Sequence, residues 1–192
     1  MTPMPHRQDG LGRAYSVPIS ELERVEHLIR DIPDYPQEGV LFKDLTPVMA
    51  DPLAFAWVVE SLSAIAEAEM IDVVVGVEAR GFVFGAAVAH RLCSPFVPVR
   101  KPGKLPGSTC SVAYELEYGT DGLEIHVDAI AIGARVAIVD DVLATGGTAR
   151  AAVRLVESLG ATVVGLEFLV ELTALDGRRG LDDYRIESVI EY

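Results

Sequence analysis

The sequence predicts an α/β fold, a central parallel sheet flanked by helices with a flexible β-hairpin standing off it. Three observations point there. Ile71–Val77, Arg135–Val139 and Val163–Val170 are apolar runs rich in β-branched residues, the character of strands buried on both faces. Stretches with helical spacing separate these runs, and strands alternating with helices build a parallel sheet covered on both sides. By contrast, Tyr114–Tyr118 and Leu123–Val127 alternate polar and apolar residues around Gly119-Thr120-Asp121-Gly122, which predicts a hairpin turning at those four residues.

Composition bounds the architecture. A chain of 192 residues suits one sizeable domain, and 50% apolar with 23% charged residues lets it complete its own core. The net charge of −13 argues against a general nucleic-acid surface, which needs clustered cations. No apolar run approaches the roughly eighteen residues of a membrane span, and Met1–Ser16 lacks the apolar centre of a signal peptide. The expectation is a soluble, cytoplasmic protein with a poorly ordered tail over residues 1–19 and a single domain over residues 20–192. Cys93 and Cys110 form no CxxC pair, and the histidines have no zinc-like spacing, so neither a structural zinc site nor a thiol nucleophile is expected. Cys93 reads as a buried small residue within an apolar helical stretch.

The elements follow in order. Ser20-Glu21-Leu22-Glu23 has the pattern of a capping box, and Leu22, Val25, Leu28, Ile29 and Ile32 follow helical spacing until Pro33. Tyr35–Asp44 reads as a loop. Asp51-Pro52 starts a second helix, which should run to about Met70. The strand Ile71–Val77 is followed by a helix rich in small residues, Gly81–Leu92, and by a short strand from Pro95 to Arg100. Lys101–Ser111 contains Gly and Pro without periodicity and is expected to be a mobile loop. After the hairpin come the strand Arg135–Val139, a helix opening at Ala149 and reaching Gly160, and a strand Val163–Val170. A short helical stretch and a final strand near Ile186–Ile190 close the chain.

In open parallel sheets, ligands bind outside the carboxyl ends of the strands. Three segments converge there. Asp140 and Asp141 end a strand and precede Thr145-Gly146-Gly147-Thr148, a turn that leaves backbone N–H groups free at a helix N-terminus. That combination suits a ligand with hydroxyls at one end and a phosphate at the other. The spacing fits neither a P-loop nor a GxGxxG fingerprint. Glu78-Ala79-Arg80-Gly81 also joins a strand to a helix and aims the Arg80 fork at the cleft. Arg100-Lys101-Pro102-Gly103-Lys104 gathers three cations within five residues of an acidic chain, a second anion site.

Val139-Asp140-Asp141-Val142-Leu143-Ala144-Thr145-Gly146-Gly147-Thr148 closely resembles the phosphoribosyl pyrophosphate signature of the type I phosphoribosyltransferases. Tyr35-Pro36 with Gly39–Asp44, Glu78–Phe82, Arg100–Pro106, Leu116–Gly119 and Val170–Thr173 resemble, in order, the corresponding segments of the adenine-specific members. The resemblance runs from about Glu21 to Tyr192. It implies transfer of the 5-phosphoribosyl group from phosphoribosyl pyrophosphate to N9 of adenine, giving AMP and pyrophosphate, by a purine-salvage enzyme that is a homodimer in most of the family.

The residue roles it implies are specific. Asp140 and Asp141 hold the ribose hydroxyls and stabilise an oxocarbenium-like sugar. Ala144, Thr145, Gly146, Gly147 and Thr148 hold the 5-phosphate. Arg80, Lys101 and Lys104 face the pyrophosphate, and Glu117 on the hood handles a proton near N7 of the base. Leu41, Phe42, Lys43 and Leu172 form the adenine pocket, with Phe42 stacking on the purine. Mg²⁺ is expected as cofactor, held mainly by substrate and water rather than by direct protein ligands. Two positions depart from the usual pattern: Lys43 stands where many members have Arg, and Glu78-Ala79 where others have Asp-Ser. The alternatives are a phosphoribosyltransferase for a 6-oxopurine and a non-enzymatic sensor of phosphoribosyl pyrophosphate. The first would place a lysine in a C-terminal hood, whereas the lysines here are Lys43, Lys101 and Lys104. The second would add a basic DNA-binding module, for which the first twenty or so residues are too short.

Overall fold

The computed structural model describes residues 20–116 and 119–192. The expected tail over residues 1–19 and the proposed proton-handling Glu117 lie outside them.

Helix α1 (Glu21–Leu28) opens on a complete capping box: the Ser20 hydroxyl accepts the Glu23 N–H, and the Glu23 carboxylate accepts the Ser20 N–H. The helix is shorter than its apolar spacing predicts. Ile29 turns extended, and β1 (Arg30–Pro33) pairs antiparallel with β2 (Leu41–Asp44), inside the segment expected to be a loop. Pairing with a distant segment thus overrides a helical pattern carried by Ile32, which stays 37% exposed. A short helix, α2 (Thr46–Ala50), precedes α3 (Pro52–Ala68). Asp51 caps α3 by accepting the Leu53 and Ala54 N–H groups, and its other oxygen takes Arg24 at 2.7 Å, tying α1 to the start of α3.

Then come β3 (Val73–Val77), α4 (Gly81–Arg91) and β4 (Phe96–Val99). Cys93, beyond α4, is exposed with φ of 52°, so the expectation of a buried residue fails where the helix has already ended. The hairpin consists of β5 (Thr109–Leu116) and β6 (Gly119–His126). Its register pairs Leu116 with Gly119, so Gly119–Gly122 belong to β6 rather than to a turn, and Gly122 lies opposite Ala113 within the ladder. That glycine answers a packing need rather than a turn: a Cβ there would stand 3.0 Å from Pro102 Cγ.

The remaining elements are β7 (Arg135–Leu143), α5 (Gly147–Ser158), β8 (Thr162–Glu171), a 3₁₀ turn (Thr173–Leu175) and β9 (Ile186–Glu191). Five parallel strands form the sheet in the order β4-β3-β7-β8-β9. Alternation divides the core. Val73, Val75, Ile138 and Phe168 pack with Leu155 and Val156 of α5 and with the hairpin residues Leu123 and Ile125. Val74, Val139 and Leu169 pack on the opposite face with Val58 and Leu62 of α3 and Phe84 of α4. Among the described residues, no helix is long and apolar enough to cross a membrane.

Candidate active site

The site forms where neighbouring strands have unequal lengths. The last residue of β3 paired with β7 is Gly76, opposite Val139, whereas β7 stays paired with β8 as far as Leu143. Beyond Val139 one edge of β7 is therefore free, and Asp140 and Asp141 occupy it beside the start of α4. The acids lie inside the strand, not at its end as the apolar run suggested. A cavity of about 870 Å³ opens there. Its wall gathers Leu41, Phe42, Lys43, Arg80, Asp140, Asp141, Ala144, Thr145, Gly146, Gly147, Thr148 and Leu172, residues drawn from four separate sequence motifs.

Asp141 is 7% exposed, and its Oδ2 lies 2.5 Å from Arg80 Nε, an ionic contact without the alignment of a hydrogen bond. Asp140 Oδ1 accepts the Asp141 N–H at 2.9 Å. The start of α4 presses on this carboxylate, since a Cβ at Gly81 would sit 2.6 Å from Asp140 Oδ1. Burial, and then the neighbouring Asp141 charge, push the Asp140 carboxyl well above the usual carboxylate range, with the Asp141 N–H pulling the other way. A ligand bringing hydroxyl donors or positive charge would lower it again. The pair is matched to a polyol that becomes cationic.

On the far side, Gly146 takes the left-handed conformation, φ 76°, and α5 begins with no side-chain cap. Its first N–H groups therefore remain available to an anion, favoured by the helix dipole. Arg150 fixes the turn from behind, donating to the carbonyls of Thr145 (3.0 Å) and Arg179 (2.8 Å). The hairpin reaches the same turn: the Tyr114 hydroxyl lies 3.3 Å from Thr148 Oγ1.

Two expected cations stand elsewhere. Lys101 Nζ pairs with Asp121 Oδ2 at 3.0 Å, and Lys104 contributes its backbone, its N–H donating to Glu124 (2.9 Å) and its carbonyl accepting from Arg100 (3.0 Å). Neither lysine lines the cavity. The physical reason is a pair of acids that gather the whole segment. Glu78 accepts the Lys101 N–H and Arg100, which together hold its carboxyl below the usual range against the opposing effect of burial. Glu124 accepts the Leu105 and Lys104 N–H groups and the Thr109 hydroxyl. The expected mobile loop is thus anchored at both ends, and Arg80 is left as the cation on the cavity wall opposite the acids.

The third wall is aromatic. Tyr35 meets Phe42 edge-on at 5.1 Å between centroids, and the Arg80 guanidinium lies 4.8 Å above the Phe42 ring. Lys43 is 8% exposed, its ammonium 2.7 Å from Asp31 Oδ1 and 3.6 Å from the centroid of the Tyr192 ring. Tyr192, which no sequence motif singled out, joins the lining because its carbonyl accepts from Thr173 N–H (3.0 Å) and Oγ1 (2.6 Å). A lone aromatic after a strand carries no local signal, and only the strand order reveals it. No group of three or more His, Cys, Asp or Glu side chains is placed to hold a metal ion among the described residues.

Residues 52–190 match the phosphoribosyl transferase domain family. An adenine phosphoribosyltransferase of Thermoanaerobacter pseudethanolicus is 56% identical over 171 residues, covering 89% of this chain and 99% of that protein. One from Rhodopirellula baltica is 54% identical over 168 residues, covering 88% and 82%. The crystal structure of the Thermoanaerobacter pseudethanolicus enzyme superposes with a TM-score of 0.87 over 89% of this chain and 99% of the other. The Saccharomyces cerevisiae adenine phosphoribosyltransferase, crystallised with adenine and an imino-altritol bisphosphate, is 40% identical with a TM-score of 0.84, covering 88% and 98%.

Proposed function

The chain belongs to the phosphoribosyl transferase domain family, among its adenine phosphoribosyltransferases, and on that premise we propose how its residues divide the reaction. The enzyme transfers the 5-phosphoribosyl group of phosphoribosyl pyrophosphate to N9 of adenine, releasing pyrophosphate and AMP. The observation that carries the assignment of roles is the shared cavity: an acid pair, an uncapped helix N-terminus and an aromatic wall line one space of about 870 Å³.

The 5-phosphate sits on the N–H groups of Thr145–Thr148, with Ala144 at its edge. Asp140 and Asp141 accept hydrogen bonds from the ribose hydroxyls. As the bond from C1 to the pyrophosphate oxygen breaks, the sugar gains positive charge, and two carboxylates held within the wall stabilise it without reorganising. Arg80, poised between Asp141 and Phe42, exchanges its internal contact for pyrophosphate oxygens. The purine lies against Phe42, between Leu41 and Leu172. Two adjacent carboxylates, with no third such side chain grouped with them among the described residues, fit a magnesium ion held chiefly by substrate and water oxygens, and such an ion would neutralise the leaving pyrophosphate. The family resemblance supports a cytoplasmic homodimer, and light scattering on the purified protein reads the dimer directly.

Incubation with labelled adenine, phosphoribosyl pyrophosphate and Mg²⁺ should yield AMP, and unlabelled adenine should compete far better than hypoxanthine or guanine. Well-folded protein that forms no AMP refutes the assignment.

A further inference from the structure

Lys43 is the one lysine among the residues lining the cavity, and it is only 8% exposed. It is enclosed on two sides. Asp31, directly across the β1–β2 ladder, forms the ion pair, and the Tyr192 ring receives the cation on its face. Tyr192 is itself fixed by the backbone, donating its N–H to the Glu171 carbonyl and accepting from Thr173. An ammonium satisfied in this way has little to gain from a new partner.

The consequence concerns base selection. Adenine carries an amine at C6, a donor; hypoxanthine and guanine carry a 6-oxo group, an acceptor. A free ammonium on the wall would attract the second class and repel the first. We infer that Asp31 and Tyr192 are specificity-determining positioning residues: by sequestering the Lys43 ammonium they deny 6-oxopurines a donor in the base pocket. This rests on the adenine-pocket reading above, and goes beyond it in assigning the selectivity to two residues that act through a third. A flexible four-carbon stem lets the released ammonium reach the cavity that Lys43 already lines.

The test frees the lysine in two independent ways, with Tyr192→Leu and Asp31→Asn, and measures competition by hypoxanthine against adenine turnover. Each variant should bind hypoxanthine about tenfold more tightly than the parent, the size of a hydrogen bond to a charged donor, while the KM for adenine rises. Tyr192→Phe, which keeps the ring, should restore parental selectivity. Adding Lys43→Met to either variant should abolish the gain. Asp31 is half exposed, so Asp31→Asn decides the matter even if Tyr192→Leu folds poorly. Unchanged hypoxanthine competition in folded Asp31→Asn, or a gain that survives Lys43→Met, overturns the inference. A parent protein that makes no AMP from adenine overturns the functional reading instead, so the two failures are distinguishable.

Discussion

Asp140 and Asp141 are consecutive in a strand and so meet different surroundings, although both reach the cavity. Asp141 finds a guanidinium; Asp140 finds the Asp141 N–H and the crowded main chain at Gly81. Two carboxylates this close, with one cation between them, form an arrangement that favours ligand binding over the stability of the free protein. Asp140→Asn should therefore lower kcat about a hundredfold or more, as loss of one preorganised electrostatic contact does elsewhere, without lowering the melting temperature. Steady-state kinetics beside a thermal melt checks this, and a markedly lower melting temperature would recast the residue as structural. Arg80 allows a finer comparison with the loop lysines. Arg80→Lys keeps the charge but loses the planar fork that spans Phe42 and Asp141, so kcat/KM for phosphoribosyl pyrophosphate should fall about tenfold or more. Lys101→Ala, whose ammonium is paired with Asp121 outside the cavity, should cost less. The reverse order would mean that the loop, not Arg80, handles the leaving group.

At the scale of elements, the phosphate turn between β7 and α5 depends on a neighbour distant in sequence. Gly177 packs so tightly that a Cβ there would lie 2.3 Å from the Ala144 carbonyl and 2.8 Å from Leu143 Cγ. A Cβ on Gly146 would strike the Gly177 carbonyl in return, at 2.1 Å. The Gly177 segment is thus a brace beneath the turn, bolted by Arg150 to Thr145 and Arg179. Gly177→Ala must displace the turn, and we expect the KM for phosphoribosyl pyrophosphate to rise about tenfold, with adenine affinity much less affected. Equal effects on both substrates would argue for general unfolding. The turn itself was legible in the sequence because Asp140–Thr148 is contiguous and each residue type has a local reason. The sheet strands and α3, α4 and α5 were legible for the same reason, the strands as continuous apolar runs, α3 by its Asp51-Pro52 start, and α4 and α5 as the stretches that separate those runs. The brace, the β1–β2 ladder, the placement of Lys101 and Lys104, and Tyr192 were not. Each is decided by a partner far along the chain, and Glu78, Glu124 and Asp121 drew the lysines of the loop aside in ways that spacing does not encode.

For the whole molecule, the charges set opposite limits on stability at the two ends of the pH scale. Asp51, Asp44 and Glu171 have carboxyls lowered chiefly by hydrogen bonds, from Arg24, Thr46 and Arg178 respectively. Their contribution is present above the ordinary carboxylate range and is lost on acidification through their lowered values. Glu167 acts the other way. It is fully buried on β8 opposite Glu187, neither oxygen has a hydrogen-bond partner among the described residues, and burial pushes its carboxyl from 4.5 to about 8, against the pull of Arg185. Between those values the folded state keeps a proton that the unfolded chain has released, so stability falls as pH rises through the window. The full shift corresponds to a few kcal/mol. Glu167→Gln removes the titration without changing the shape, and its advantage over the parent should grow steadily from about pH 5 to about pH 8. Glu167→Leu should add a further stabilisation of about 1–3 kcal/mol at every pH by removing the unpaired polar atoms. Urea unfolding midpoints for the three proteins across that range measure both effects. A difference between parent and Glu167→Gln that stays flat with pH would show that the carboxyl titrates normally, and would place a hydrogen-bond partner at a group that has no protein partner among the described residues.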